Sequence, residues 1–183
     1  MTDAERQAKF EGLLTAESYD RAWRYCCRLC MQAGGGSHDA EDLLQEALTR
    51  AYLGLHTLRD AKRFGGWLLA IVRRRHHTRL KGRWNDPQLL GERDGAFAAA
   101  YDAPDTRTQT ALETLARLPA GPRELLALSY LEGLSPTEVA TVLGIAPRAV
   151  RMRLTRARKM LRDEIGKLDI PAAAEQCSAG RTT

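Results

Sequence analysis

Three observations predict an all-α fold of two small helical domains joined by an irregular linker. First, Leu and Ala dominate the 183 residues, aromatics make up only 6%, and no run alternates apolar and polar residues as a strand does. Second, apolar residues recur at i, i+3, i+4 and i+7 in several segments, the period of an amphipathic helix. Third, the stretch from Trp84 to Thr108 keeps no helical period. It holds Pro87, Gly91, Gly95 and Pro104 among Asp86, Glu92, Asp94, Asp102 and Asp105. A connector of this length is uncommon inside one compact domain. The expected organisation is a four-helix domain over 1–83, a flexible acidic linker over 84–108, a second domain over 109–168 and a disordered tail over 169–183.

The elements follow in order. After a charged first helix, residues 18–33 form a helix with Trp23, Cys26, Cys27, Cys30 and Met31 as candidate core positions. Gly34, Gly35 and Gly36 break it. Ser37 or Asp39 can cap the next helix, and Asp39, Glu41 and Asp42 sit near its electropositive end. Ala40, Leu43, Leu44, Ala47, Leu48, Ala51 and Leu55 form its inner stripe. A connector over 56–63 leads to a helix starting near Phe64. Trp67, Leu68, Ile71 and Val72 face inward there, before a wholly basic run, RRRHHTRLKGR. His76 and His77 lie in that run and are expected to assist nucleic-acid contact. The second domain opens with a helix near Thr110 that Pro119-Ala-Gly-Pro122 should stop. Another helix spans 123–131 and ends at Gly133.

Residues 134–161 carry the strongest signal. Ser135 caps a short helix, Pro136 suits its first turn, and Glu138 completes the S-x-x-E pattern. Val139, Ala140, Val142 and Leu143 give it a buried side, and Gly144 permits the left-handed exit that a sharp turn requires. Ile145 fills the corner. A second helix begins near Pro147, with Val150, Leu154, Ala157 and Leu161 facing inward. Arg148, Arg151, Arg153, Arg156, Arg158, Lys159 and Arg162 remain for solvent, with no acid among them before Asp163. A capped helix, a Gly turn and a cationic second helix make the plan of a DNA-reading helix-turn-helix.

Charge distribution points to the same class of partner. The net charge is only +5, yet fifteen of the 28 Lys and Arg residues fall in two blocks, 62–83 and 148–162. Two separated cationic surfaces suit a polyanion gripped at two places. The polar start MTDAERQAKFEGL and the lack of an 18-residue apolar run argue against a secretory signal or membrane insertion, so a cytoplasmic location is expected. Cys26, Cys27 and Cys30 on one helix do not form a secreted disulfide framework. Adjacent helical cysteines diverge too far to converge readily on a metal with His38, so buried thiols are expected and no metal. No nucleophile–base pair, phosphate-binding Gly loop or HExxH appears, so neither enzyme activity nor a cofactor is expected.

Two motifs together resemble a known family. DAEDLLQEALTRAY at 39–52, followed by FGGWLLAIVRRR at 64–75, resembles the second conserved region of bacterial sigma factors. LPAGPRELLALSYLEGLSPTEVATVLGIAPRAVRMRLTRARKML at 118–161 resembles the fourth. Their order, with only a linker between, resembles the extracytoplasmic-function (ECF) group. The resemblance implies a subunit that joins core RNA polymerase and directs promoter-specific initiation. Asp39, Asp42, Gln45, Glu46 and Arg50 match the helix that docks on the polymerase clamp coiled coil. The loop containing His56, Lys62 and Arg63 matches the one that captures a flipped base of the minus-10 element, and Arg73, Arg74 and Arg75 would hold the opened non-template strand. Trp67 is open to either core packing or base stacking.

Arg148, Arg151, Met152, Thr155 and Arg156 match recognition-helix positions that enter the major groove at minus-35, with Arg153 and Arg158 on phosphates. Leu112, Leu115 and Leu118 belong to the part that meets the polymerase flap, or to the core. An anti-sigma partner is a further implied possibility. Met152 stands where relatives carry a small polar residue, Arg148-Ala149 replaces a Gly-Thr pair, and Arg74 replaces an Asn, so base preference is left open. Two other readings compete: a stand-alone helix-turn-helix regulator of operator duplex, and a module that sequesters a regulator through its basic faces.

Overall fold

The computed structural model describes residues 2–83 and 106–167, with side chains over 2–80 and 108–167. The expected linker between the domains, apart from its last three residues, and the tail lie outside the described residues. Within them are eight α-helices and no strand. No described helix is long and apolar enough to cross a membrane.

Helix α1 (Asp3–Leu13) is closed by a reciprocal cap between Thr2 and Glu5. Its Phe10 sits edge-on to Tyr52 and Phe64, with ring centroids 5.7 and 5.9 Å apart. Helix α2 (Ala16–Gln32) begins earlier than its apolar pattern suggests, because the Thr15 hydroxyl accepts the Ser18 N–H at 3.2 Å. Helix α3 (Ser37–Gly54) is capped from Asp39, whose carboxylate accepts the Gly36 N–H at 3.0 Å; Ser37 is already the first helical residue. A Cβ on Gly35 would lie 2.7 Å from that carboxylate and 3.1 Å from the Cys30 carbonyl, so this tight corner needs glycine. Two single 3₁₀ turns, Leu55–Thr57 and Ala61–Arg63, lead into α4 (Phe64–Arg83). Helices α2, α3 and α4 bury Tyr25, Cys26, Leu29, Leu43, Leu44, Leu68, Leu69 and Val72 between them.

The second module holds α5 (Thr106–Ala116), α6 (Ala120–Leu126), α7 (Pro136–Leu143) and α8 (Pro147–Lys167). The preceding helix ends at Ala116, ahead of Pro119 as expected, but α6 starts at Ala120 rather than Arg123, with Pro119 as its cap and Pro122 in its first turn. First-turn N–H groups have no helical acceptor, so a proline there removes nothing. Residues Ala127–Leu131 widen into a π-turn, closed by the Glu132 N–H on the Ala127 carbonyl at 3.0 Å. The Ser135–Glu138 box and the left-handed Gly144 (φ 67°) bound α7 as its sequence requires. Val150, Leu154 and Ala157 of α8 are buried against the other helices.

The modules touch. Helix α4 packs along α7, and one apolar core runs through both. Two ionic contacts reinforce the join. Arg28 Nη1 donates to Glu132 Oε1 at 3.1 Å, with side-chain exposures of 1% and 0%. Glu124 Oε1 accepts from both the Tyr25 hydroxyl and Arg73 Nε at 3.0 Å.

His76 corrects one expectation: it is buried and so cannot contact DNA, unlike the exposed His77. Burial, and then the neighbouring His77, push its pKa down to about 4. The unfolded chain, with a His near 6.5, therefore binds the extra proton between pH 6.5 and 4. The stability that neutral His76 contributes is complete above pH 6.5 and is lost as pH falls through this window. Urea unfolding of wild type and His76→Gln should differ in slope there, by about 3 kcal/mol in total. Parallel curves would contradict the burial assignment.

Candidate nucleic-acid interface

Helix α8 builds the clearest ligand surface. With Val150, Leu154 and Ala157 fixed inward, helical spacing turns Arg148, Arg151, Met152, Thr155, Arg156 and Lys159 to the opposite side. All six are exposed, Met152 by 53%. The Thr155 hydroxyl donates back to the Arg151 carbonyl at 3.2 Å. Arg153 and Arg158 occupy the flanks. Arg158 stacks over Tyr130, 5.6 Å from the ring centroid, and its Nε donates to the Tyr130 hydroxyl at 2.6 Å. Arg153 and Arg156 rim an apolar cleft with Arg73, over Leu125, Leu143 and Met160. An exposed row of guanidiniums on a rigid helix, held off the core by small and branched residues, can enter a major groove and pair with guanine edges.

In the first module, His56, Lys62 and Arg63 are exposed on the connector between α3 and α4. Lys62 and Arg63, but not His56, line with Arg59 and Trp67 a cleft of about 450 Å³ whose other wall is Ser135 at the cap of α7 and Thr137, Glu138 and Thr141 within it. Trp67 is half-buried, tilted against Phe64 at 5.9 Å and open to this cleft, so it serves core and cleft together.

The three consecutive arginines do not share a surface. Arg74 is exposed, Arg73 turns to Glu124, and Arg75 turns to Glu46. Three successive residues on a helix sweep roughly 200°, so one strand cannot meet them all equally.

On α3, Asp42, Gln45 and Arg50 are exposed together, while Asp39 and Glu46 are half-buried. Asp39 is occupied in the helix cap. Glu46 binds Arg75 and, at 3.2 Å, Arg79. Burial opposes its ionisation, but these two guanidiniums outweigh that and hold its carboxyl below the usual range. Leu53 joins the outer face of Asp42, Gln45 and Thr49, with 54% exposure. It falls outside the inner stripe, and that mismatch was the available signal. Leu112, Leu115 and Leu118 are buried, which serves packing. Cys26 and Cys30 are buried in the core, and no described group of three or more His, Cys, Asp or Glu side chains could hold a metal ion.

Comparison with known proteins agrees with this geometry. The model for Sigma-70 region 2 matches residues 14–85, and that for Sigma-70, region 4 matches 108–161. The chain is 34% identical to the ECF RNA polymerase sigma factor SigF of Caulobacter vibrioides, covering 91% of this chain and 90% of that protein. It is 38% identical to the probable RNA polymerase sigma factor RfaY of Xanthomonas campestris over 69% of its own length, but spans only 34% of that longer protein. It is 32% identical to SigE of Mycolicibacterium smegmatis, over 84% of this chain and 61% of the relative. Among solved structures, CnrH in complex with the cytosolic domain of CnrY superposes with a TM-score of 0.58 at 25% identity, over 90% of this chain and 95% of CnrH.

The Glu46 pairing has a measurable consequence. Glu46→Gln should lower the free energy of unfolding by about 1 kcal/mol, since two part-exposed guanidiniums lose their carboxylate. Unchanged urea midpoints would show that the pairing carries no weight.

Proposed function

Because the chain belongs to the ECF group of RNA polymerase sigma factors, non-enzymatic initiation factors that bind core polymerase and promoter DNA, we propose the following division of labour. Helix α8 reads the minus-35 duplex through Arg148, Arg151, Met152, Thr155 and Arg156, with Arg153 and Arg158 on flanking phosphates. The connector bearing His56, Lys62 and Arg63 takes a flipped base of the minus-10 element, and Arg74 steadies the opened non-template strand. Arg73 and Arg75 join it only when their carboxylate partners release them. The face of Asp42, Gln45 and Arg50, extended by Leu53, docks on the clamp coiled coil. Asp39 and Glu46 shape that face from beneath. A flap contact falls to exposed residues beside the buried Leu112, Leu115 and Leu118. The two modules are the units 1–83 and 109–168, tethered by 84–108.

The observation that carries this reading is the outer face of α8: exposed Arg and Lys residues from Arg148 to Arg162 with no acid before Asp163, and a buried apolar side directly behind. The structural relative CnrH was solved in complex with the cytosolic domain of CnrY, and a sigma factor RpoE with the anti-sigma factor NepR from Bartonella quintana; an anti-sigma partner is a fitting regulator of this chain.

Reconstitution with core polymerase tests the proposal. Promoter-dependent RNA should require both components. Arg156→Ala should cut it about 10- to 100-fold, the worth of one bidentate base contact, while core affinity stays unchanged. Asp42→Ala with Gln45→Ala should weaken core binding first. If about six phosphates are neutralised, log affinity should fall with log salt at a slope near −5. Tight duplex binding without polymerase, and no transcript with it, would favour the stand-alone regulator instead.

A further inference from the structure

Of the six arginines on α8, Arg158 is the one that a hydrogen bond ties to another element among the described residues. Its partner, Tyr130, belongs to the widened Ala127–Leu131 turn and is 58% exposed. Buried Leu126, Ala127 and Leu128 anchor that turn, and the Glu132 N–H on the Ala127 carbonyl closes it. Such widened turns are rare within helices and recur at functional sites. The Arg158 guanidinium lies over the ring, 5.6 Å from its centroid, and Nε donates to the hydroxyl oxygen at 2.6 Å. That bond uses one of five guanidinium N–H groups. The four on the Nη atoms have no acceptor among the described residues, and neither has the Tyr130 hydroxyl proton. A phenol leaves its partner's charge intact, whereas Arg73, Arg75 and Arg79 are each paired with a glutamate. Thr155, Arg158 and Arg162 follow one another along a single stripe of α8, and with Tyr130 they line one cleft of about 490 Å³. The edge of the recognition face therefore continues onto the widened turn.

We propose that Tyr130 and Arg158 form one phosphate cradle: the tyrosine ring and hydroxyl hold the guanidinium in place, and the pair takes a single phosphate of the duplex that α8 enters. The cradle rests on the duplex-binding role assigned to α8 above. Its phosphate accepts from the outward Nη groups and from the Tyr130 hydroxyl, so charged and neutral hydrogen bonds converge on one group. An unrestrained surface arginine gives up rotamer freedom when it binds, and Arg158 has already given up much of it in the free chain. Both residue types are needed. The hydroxyl oxygen accepts from Nε while its proton stays available, which phenylalanine cannot reproduce, and an ammonium has no planar face to lie on the ring. Because phosphates carry no sequence, the cradle sets the register and tilt of α8 in the groove. Base choice stays with Arg148, Arg151, Met152, Thr155 and Arg156.

A double-mutant cycle in the full-length chain tests the cradle. The probe is a fluorescein-labelled random-sequence duplex, with anisotropy read over a series of salt concentrations. Tyr130→Phe keeps the stacking ring and drops only the hydroxyl. It should weaken duplex binding about three- to tenfold, the worth of one hydrogen bond. Its salt slope and its urea midpoint should match those of the wild type, since neither a charge nor a packed group is lost. Arg158→Ala should weaken binding further and make the slope of log affinity against log salt shallower by about 0.9, the share of one phosphate. The double variant should bind within about twofold of Arg158→Ala alone, because the hydroxyl acts through a guanidinium that is no longer there. Equal binding by the wild type and Tyr130→Phe, losses that add in the double variant, or an unchanged salt slope in Arg158→Ala would each overturn the cradle. A shifted urea midpoint with unaltered duplex binding would overturn it too, by leaving Tyr130 a purely structural role. Failure of the wild type itself to bind duplex would contradict the role of α8, and the cradle with it, so the wild-type titration tells the two failures apart.

Discussion

A guanidinium and a carboxylate from the two different modules, Arg28 and Glu132, meet where water does not reach. Each would be costly to dehydrate alone, by several kcal/mol, and removing one partner from such a pair typically costs 3–5 kcal/mol. Replacing both with well-packed apolar residues would often cost nothing. The pair therefore does more to fix which surfaces meet than to raise stability. Apolar contact between α4 and α7 could slide by a turn. Two charges that must coincide cannot, and Tyr25, Arg73 and Glu124 repeat the constraint one turn away.

That registration divides the cationic surface into two states of readiness. The outer row of α8 faces solvent on a helix anchored by Val150, Leu154 and Ala157. In the first module the arginines of α4 differ: Arg73 pairs across the modules with Glu124, Arg75 and Arg79 pair within the module with Glu46, and Arg74 is exposed. On the proposed reading, contact of α8 with duplex needs no rearrangement of the fold.

Local chemistry was legible in the sequence. Ser135, Pro136, Glu138 and Gly144 act within a few residues of themselves, so the boundaries of α7 followed directly, and the inward stripe of α8 followed from its spacing. Pro122 misled because its effect depends on where a helix begins: as an interior residue it breaks, in a first turn it is harmless. His76 misled because a basic run was treated as one surface, whereas a helix turns each residue to its own side. The ties of Glu46 to Arg75 and of Arg28 to Glu132 were illegible for another reason. They join residues 29 and 104 positions apart, and nothing local in either partner names the other. Leu53 lay between these cases, since its failure to fit the buried stripe marked it as a surface residue with another purpose.

The distance between the modules, with and without the transcription machinery, tests the central claim most directly. Spin or fluorescent labels at the exposed positions Glu41 on α3 and Glu113 on α5 lie outside every proposed contact with DNA. The free chain should give one short, narrow distance distribution. Addition of core polymerase and promoter should shift it to a long one. The same short distance in the assembled complex, or a broad and extended distribution in the free chain, would contradict the account.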